Sequence, residues 1–292
     1  MKTIFGKKSY TGCWQTIVES NIGHSHIQKN IPNQDAVCFF PNKDNSRFYV
    51  IALADGHGAA ECIRSDTGSK LAVKIATKIG SSYVKNSIKM KNLMNQEKKL
   101  NTLIKSIVMQ WKKAATIHLK RNPLDLNEQK LLDKIDLKKK DKIKNNNLVY
   151  YGSTLLMALV RDNNLVLLQI GDGDICLVNS DNSVSMAFSH PKEFIANETH
   201  SLCMKRSETL FQSNSFFTDC LNLIILSSDG YSNSFSTRDD FLQVGNDIHE
   251  MILKHCVASL KVHLPDWLNE TSKMGSGDDI TVAILYKKNI NE

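Results

Sequence analysis

The chain has 292 residues, 41% of them hydrophobic and 23% charged, with a formal net charge of +7. That length allows one large domain or two small ones, and the composition is that of a globular chain able to bury a sizeable core. Seven cysteines stand alone at 13, 38, 62, 176, 203, 220 and 256, with no Cys-x-x-Cys pair, so neither a zinc ribbon nor a thioredoxin-like redox site is expected. They read as reduced thiols packed as small hydrophobes. No cysteine has an arginine six positions later, which removes a cysteine-nucleophile phosphatase loop.

The positive charge is local. Residues 85–147 carry 17 Lys and Arg against 6 Asp and Glu, an excess of eleven, so the rest of the chain is acidic by four. The amino end, Met1 to Lys8, lacks the apolar run of a signal peptide, and no stretch approaches the roughly 20 apolar residues of a membrane span. A cytoplasmic protein is expected.

In chain order, strands are expected at 14–20, 35–40 and 48–54, the last a buried-type run from Phe48 to Ala54. Helical spacing follows over 59–79, with Ile63, Leu71, Ile75 and Ile79 among its apolar positions, and again over 100–119, where Leu103, Ile104, Ile107, Val108 and Trp111 keep the three-four rhythm. Residues 122–147 read as a solvated Lys/Asn-rich insertion, whose few apolar residues could form a short amphipathic helix, in a single domain covering 1–292. Strands return at 153–160 and 165–170 around the hairpin turn Arg161-Asp-Asn-Asn164. Further strands are expected at 175–179, 221–226 and 280–286, and a helix over 238–261. Short strands joined by tight turns, with helices in blocks, point to antiparallel sheets and a layered α+β fold.

Acidic residues recur beside glycine or another acid at several strand ends: Gln34-Asp35, Asp55-Gly56-His57-Gly58, Asp229-Gly230 and Gly275-Ser-Gly-Asp278-Asp279. A further group, Gly171-Asp172-Gly173-Asp174, reads as a hairpin turn. Asp-Gly is a common turn dipeptide, which explains any one of these, but not aspartates placed directly after the apolar strands ending near 54 and 227. If several converge, each like-charged pair at about 4 Å and an effective dielectric near 20 costs about 4 kcal/mol. Such a cluster needs protons or cations, and hard divalent ions such as Mg²⁺ or Mn²⁺ prefer oxygen ligands. Two such ions, with the Gly56 carbonyl as an added ligand, would suit water attack on a phosphate ester. His57, two residues after Asp55, could then protonate the leaving oxygen, the alternative being an incidental histidine in a turn.

In order along the chain, Asn33-Gln-Asp35-Ala, Ala54-Asp-Gly-His-Gly58, Gly152-Ser-Thr154, Ile170-Gly-Asp-Gly173, Ser228-Asp-Gly230 and Gly275-Ser-Gly-Asp-Asp-Ile-Thr-Val282 resemble the protein phosphatase 2C family, the metal-dependent serine/threonine phosphatases. The resemblance implies a four-layer α-β-β-α sandwich of two antiparallel sheets flanked by helices. It implies that Asp55, the Gly56 carbonyl, Asp229 and Asp278 hold two Mn²⁺ or Mg²⁺ ions, with Asp55 shared. His57 matches the general acid, Asp35 an acid beside the reacting water, and Asp172 a ligand of a weaker third ion. Phosphoprotein substrates, and a kinase that makes them, follow as partners.

Gln34 stands where the family usually has glutamate, Asn233 where it has a third-site aspartate, and Asp279 where it has asparagine, the last read as a harmless exchange. Asn30 occupies the place of the phosphate-gripping arginine, with His26 and Lys29 as nearby substitutes. The string Gly23-His-Ser-His26 with Pro32-Asn-Gln-Asp35 resembles a bacterial branch of the family, and His26 is the candidate phosphate contact, with a structural hydrogen-bonding role as the alternative. Asn197-Glu-Thr199 falls where the family has a variable flap. These departures keep an alternative open: an inactive phosphatase fold that binds a signalling partner. A nucleic-acid role for the lysine-rich stretch is disfavoured by its lack of aromatics between Lys112 and Val149. Neither a nucleotide-binding phosphate loop nor a zinc-protease helix is present, since His249-Glu250 is followed by His255.

Overall fold

The computed structural model describes residues 13–41, 48–86, 97–189 and 199–288. Ten strands and seven α-helices follow in chain order: β1 (Cys13–Asn21), α1 (His24–Lys29), β2 (Ala36–Phe40), β3 (Phe48–Ala54), α2 (Ser65–Asn86), α3 (Glu97–Arg121), α4 (Leu126–Asp133), α5 (Leu137–Asn145), β4 (Leu155–Arg161), β5 (Asn164–Ile170), β6 (Asp174–Asn179), β7 (Val184–Met186), β8 (Gln212–Phe217), β9 (Leu221–Ser227), α6 (Asp229–Ser232), α7 (Arg238–Met274) and β10 (Ile280–Lys288). One sheet has the order β1-β10-β9-β6-β7 and the other β2-β3-β4-β5-β8. All ladders are antiparallel.

The central strands read as unbroken apolar runs because both of their faces are buried. In β3, Tyr49, Ile51 and Leu53 point between the sheets, where they meet Leu156, Ala158, Leu226, Ala283 and Leu285. The alternate residues Val50, Ala52 and Ala54 face Ala72, Ala76 and Trp111 of α2 and α3. On the far side, Val282, Ile284 and Tyr286 of β10 pack against Phe241, Ile248, Leu260 and Leu264 of α7. Period-two alternation therefore yields four layers, the expected α-β-β-α sandwich.

The differences from expectation lie at boundaries and in polar elements. Helix α2 begins six residues later than its apolar rhythm predicts, because residues 59–64 turn around the 55–58 loop. Helix α7 runs to Met274 rather than stopping near 261, as two helices that meet at Cys256 (φ +67°). Strand β8 went unpredicted because its sequence, Gln-Ser-Asn-Ser-Phe-Phe, is that of a largely exposed edge strand. The segment 171–173 is not a hairpin turn: β5 and β6 belong to different sheets, so it carries the chain from one sheet to the other.

The lysine-rich stretch is not loose. Asp125 caps α4, accepting from the backbone of Asn127 and Glu128, while the Glu128 side chain returns to the Asp125 N–H as a capping box. Asp136 caps α5 by accepting from the Lys139 N–H at 2.8 Å. Helix α4 is fastened through Arg64, which donates to both Glu128 oxygens (2.6 and 2.7 Å), to the Asn122 and Pro123 carbonyls, and to the Tyr151 hydroxyl. The Arg64 side chain is 10% exposed, and removing it takes the cationic partner from the Glu128 carboxylate and a donor from each of the Asn122 and Pro123 carbonyls. Arg64→Ala is expected to lower stability by about 3 kcal/mol and to open residues 122–147 to limited proteolysis, checked by chemical unfolding and mass spectrometry of the digest.

Candidate active site

The site lies at one end of the sandwich, where β3 and β9 run out. Asp55 is the first residue beyond β3, and its backbone is pinned by the Gly152-Ser-Thr154 segment. Its N–H donates to Thr154 Oγ1 at 2.9 Å, and the Thr154 N–H donates to the Asp55 carbonyl at 2.8 Å. The next two residues are fixed likewise, Gly56 N–H to the Gln34 carbonyl and His57 N–H to the Gly152 carbonyl. Gly56 must be glycine, since a Cβ there would sit 2.7 Å from the Ser65 backbone. Asp229 opens α6 directly after β9.

The carboxyl groups converge. Asp55 and Asp229 are in side-chain hydrogen-bond contact, and both feel Asp278. Asp35, just before β2, is buried; it bonds to the Ser228 and Thr281 hydroxyls and feels Asp229 and Asp279. Desolvation is the largest cause of each shift, with neighbouring carboxylates adding to it. It pushes Asp35 up to about 7 and Asp229 up to about 6, and holds Asp55 well above the ordinary carboxylate range. The buried Asp35 Oδ2 has no hydrogen-bond partner. Crowded carboxyls that resist ionising, one with an orphaned oxygen, form a donor set that suits hard divalent cations.

Asp172 lies on the same cleft rather than in a plain turn. Its Oδ2 accepts from Thr199 Oγ1 at 2.5 Å, and its charge acts on Asp229 and His57. Asp174, two residues on, faces away and pairs with Arg238. Asn197 and Glu198 of the expected flap lie outside the described residues. Burial lowers the pKa of His57, with Asp172 opposing that effect, and its buried Nε2 has no partner.

His26 does not face open solvent. Its Nδ1 is 3.0 Å from Asp279 Oδ1 and its Nε2 is 3.5 Å from Asp278 Oδ1, although the Nδ1 contact lacks hydrogen-bond alignment. Atoms of His26, Asp278 and Asp279 all lie within 4.8 Å of one another, a spacing that could hold a metal ion. Asp279 in turn accepts from the Gly23 N–H at 2.6 Å and the Gln34 N–H at 2.7 Å. This residue, which the sequence offered only as a harmless exchange, clamps three chain segments together. Gly23 permits the approach, because a Cβ there would sit 2.3 Å from the Asp278 backbone.

His26, Asp55, Gly56, His57, Asp172, Asp229 and Asp278 line a cleft of about 560 Å³ together with Gln34, Glu61, Lys139, Lys142 and Met204, whereas the buried Asp35 and Asp279 are not among its lining residues. The sequence model of protein phosphatase 2C matches residues 22–269. The chain belongs to the protein phosphatase 2C family. It is by class a protein serine/threonine phosphatase, acting on phosphoproteins. Among solved structures it is similar to a bacterial serine phosphatase (16% identity, TM-score 0.59, covering 94% of this chain and 98% of that one). It is similar also to Stp1 of Staphylococcus aureus (16%, 0.56, 94% and 95%) and to Mycobacterium tuberculosis PstP/Ppp (15%, 0.55, 95% and 100%). A structure of the PstP catalytic domain, of similar likeness (15%, 0.54, 95% and 99%), holds two manganese ions. At these identities the likeness is one of fold. No curated protein sequence matches the chain.

Against the family pattern, Asn233 turns its amide onto Asp229, donating to Oδ2 at 3.0 Å. Lys29 and Asn30 are exposed and take no part in lining the cleft.

The raised carboxyl pKa values make stability depend on pH in a definite sense. Between about pH 4 and 7 the folded, cation-free phosphatase binds more protons than the unfolded chain, so its stability falls as pH rises through that window. Melting temperature in EDTA is expected to drop between about pH 5 and 7.5, and Mn²⁺ is expected to remove most of that drop.

Proposed function

We propose that this phosphatase hydrolyses phosphoserine and phosphothreonine in proteins, with two divalent cations held by Asp55, the Gly56 carbonyl, Asp229 and Asp278, and with Asp172 available to a third. The observation that carries this reading is the convergence of Asp35, Asp55 and Asp229 into a group whose members hold their protons above the ordinary carboxylate range. Bound there, Mn²⁺ or Mg²⁺ would neutralise these carboxylates, acidify water and offset charge on the phosphoryl oxygens.

The remaining work falls to the chain. Asp35, fixed by the Ser228 and Thr281 hydroxyls, orients the attacking water from its buried Oδ2. In the reaction a water oxygen bonds to phosphorus, the phosphorus–ester oxygen bond breaks, and a proton must reach the departing serine or threonine alkoxide. His57 is the group able to supply it. Its depressed pKa leaves it neutral in the free protein, and a phosphate dianion arriving beside it would raise its proton affinity. The acid therefore forms together with the substrate complex. Gln34 shapes the wall opposite: its amide donates to Ser65 Oγ at 2.7 Å, which leaves its oxygen towards Gly58. His26, set against Asp278 and Asp279, orients these carboxylates in this reading more readily than it grips phosphate. A protein kinase is the class of enzyme that supplies the substrate.

Two measurements test the reading. Asp229→Ala is expected to lower Mn²⁺-dependent turnover of a phosphothreonine peptide by about 10³-fold or more while the circular dichroism spectrum is kept, the scale of losing a major electrostatic contributor. Unchanged turnover would remove Asp229 from the centre. His57→Gln is expected to slow the phosphothreonine peptide by roughly 10²- to 10⁴-fold, yet to spare p-nitrophenyl phosphate, whose leaving group departs without a proton. Equal losses on both substrates would argue against a general acid.

A further inference from the structure

The cleft is anionic by construction. Glu61 lines it beside the aspartates already described, whereas the only Lys or Arg side chains among its described lining residues are Lys139 and Lys142. Both come from α5, in the stretch whose composition looked merely solvated. They are three apart on that helix and so share a face. They converge on one carboxylate: Lys139 Nζ is 3.3 Å from Glu61 Oε2, and Lys142 Nζ is 3.9 Å from Glu61 Oε1. The Glu61 side chain is 6% exposed, whereas those of Lys139 and Lys142 are 39% and 47% exposed. The carboxylate is thus a fixed wall, and the ammonium groups, on long stems partly in solvent, are free to move. Glu61 Oε2 makes no aligned hydrogen bond, so the lysines are drawn to it by charge and not locked there.

Their placement is rigid at the backbone. Asp136 sets the start of α5, Arg64 fastens the preceding helix to the core, and Asn146 at the far end donates to the Cys203 carbonyl at 2.7 Å. From there a 3-10 turn at Asn147–Tyr151 leads straight into Gly152 and Thr154, which hold the backbones of His57 and Asp55. The lysines and the reacting groups therefore hang on one continuous braced run of chain. Lys142 and Glu61 are both close enough to His57 to act on its charge.

We propose that Lys139 and Lys142 form the cationic grip on the substrate's phosphoryl group, leaving Glu61 to meet the peripheral phosphate oxygens. This deepens the hydrolytic reading and rests on it for the identity of the substrate. It accounts for how a chain with Asn30 in place of the gripping arginine can still hold a dianion in a cleft walled with acids. Lysine serves here as a mobile point charge where an arginine would have been a fixed fork. The lysine-rich insertion is then part of the substrate site, and phosphate is retained by a helix peculiar to this insertion.

The test measures binding of inorganic phosphate to the Mg²⁺-loaded protein by calorimetry, alongside Mn²⁺-dependent hydrolysis of a phosphothreonine peptide by the wild type. Lys139→Ala/Lys142→Ala is expected to weaken phosphate binding by at least roughly tenfold, the scale of one charge-assisted hydrogen bond. Lys139→Arg/Lys142→Arg should retain most of the affinity. Lys134→Ala/Lys138→Ala, which removes the same charge from exposed positions of the same insertion, should match the wild type. If the double alanine variant binds phosphate as tightly as a wild type that hydrolyses the peptide, the lysine grip is overturned and the hydrolytic reading stands. If the exposed-lysine variant loses as much affinity as the cleft variant, a diffuse field is acting and the proposed contact is wrong. If the wild type neither binds phosphate nor hydrolyses the peptide, both readings fall. If it binds phosphate through the two lysines but hydrolyses nothing, the grip stands and the hydrolytic reading fails.

Discussion

Mutual repulsion among buried carboxyl groups is the constraint around which this molecule is arranged. Asp35 is buried, and Asp55 and Asp229, half-buried at the cleft, are set close to it and to one another, with Asp278 and Asp172 nearby. A folded chain of ordinary stability, roughly 5–15 kcal/mol, tolerates this only where the surrounding structure is over-determined. That bracing is visible on every side. Thr154 grips Asp55 from both backbone directions, the Ser228 and Thr281 hydroxyls hold Asp35, and Asp279 ties Gly23 to Gln34. Two apolar sheets with helices over both outer faces supply the stiffness that these short polar links need.

Much of this was legible in the sequence because the governing patterns are local. Val50, Ala52 and Ala54 alternate with Tyr49, Ile51 and Leu53 in an unbroken apolar run, which says that both faces are buried. The aspartate that follows such a run is placed on a rigid rim. The six ordered segments around Asp35, Asp55, Thr154, Asp172, Asp229 and Asp278 implied the sandwich, and the structure has it. The structure also gathers Asp55, Asp172, Asp229 and Asp278, with His57 and His26, about one cleft, while Asp35 and Thr154 are buried and do not line it.

What escaped depended on partners far apart in the chain. Asp279 looked interchangeable with asparagine, since nothing local shows that Gly23 and Gln34 will each donate to it. The 171–173 segment had the residues of a hairpin turn, but sheet membership is decided by which strands pair, and β5 and β6 pair elsewhere. Residues 122–147 read as solvated because their composition is Lys and Asn. Their order, however, is settled by Arg64, some sixty residues earlier, reaching Glu128. The capping signatures Asp125-x-x-Glu128 and Asp136 were the local signal that helices, and not a loose loop, stand there.

With the insertion docked, the acidic floor and the basic wall of the cleft form one electrostatic unit, which in the proposed reading gathers cations below and holds a dianion above. The floor is the part on which the rest depends. It is tested most directly by diffraction from crystals soaked in Mn²⁺, using anomalous differences at the manganese edge. The account predicts two peaks about 3.5–4 Å apart, both against Asp55, with Asp229 and Asp278 among their ligands. No peak at Asp55, or a single ion confined to His26, Asp278 and Asp279, would contradict it.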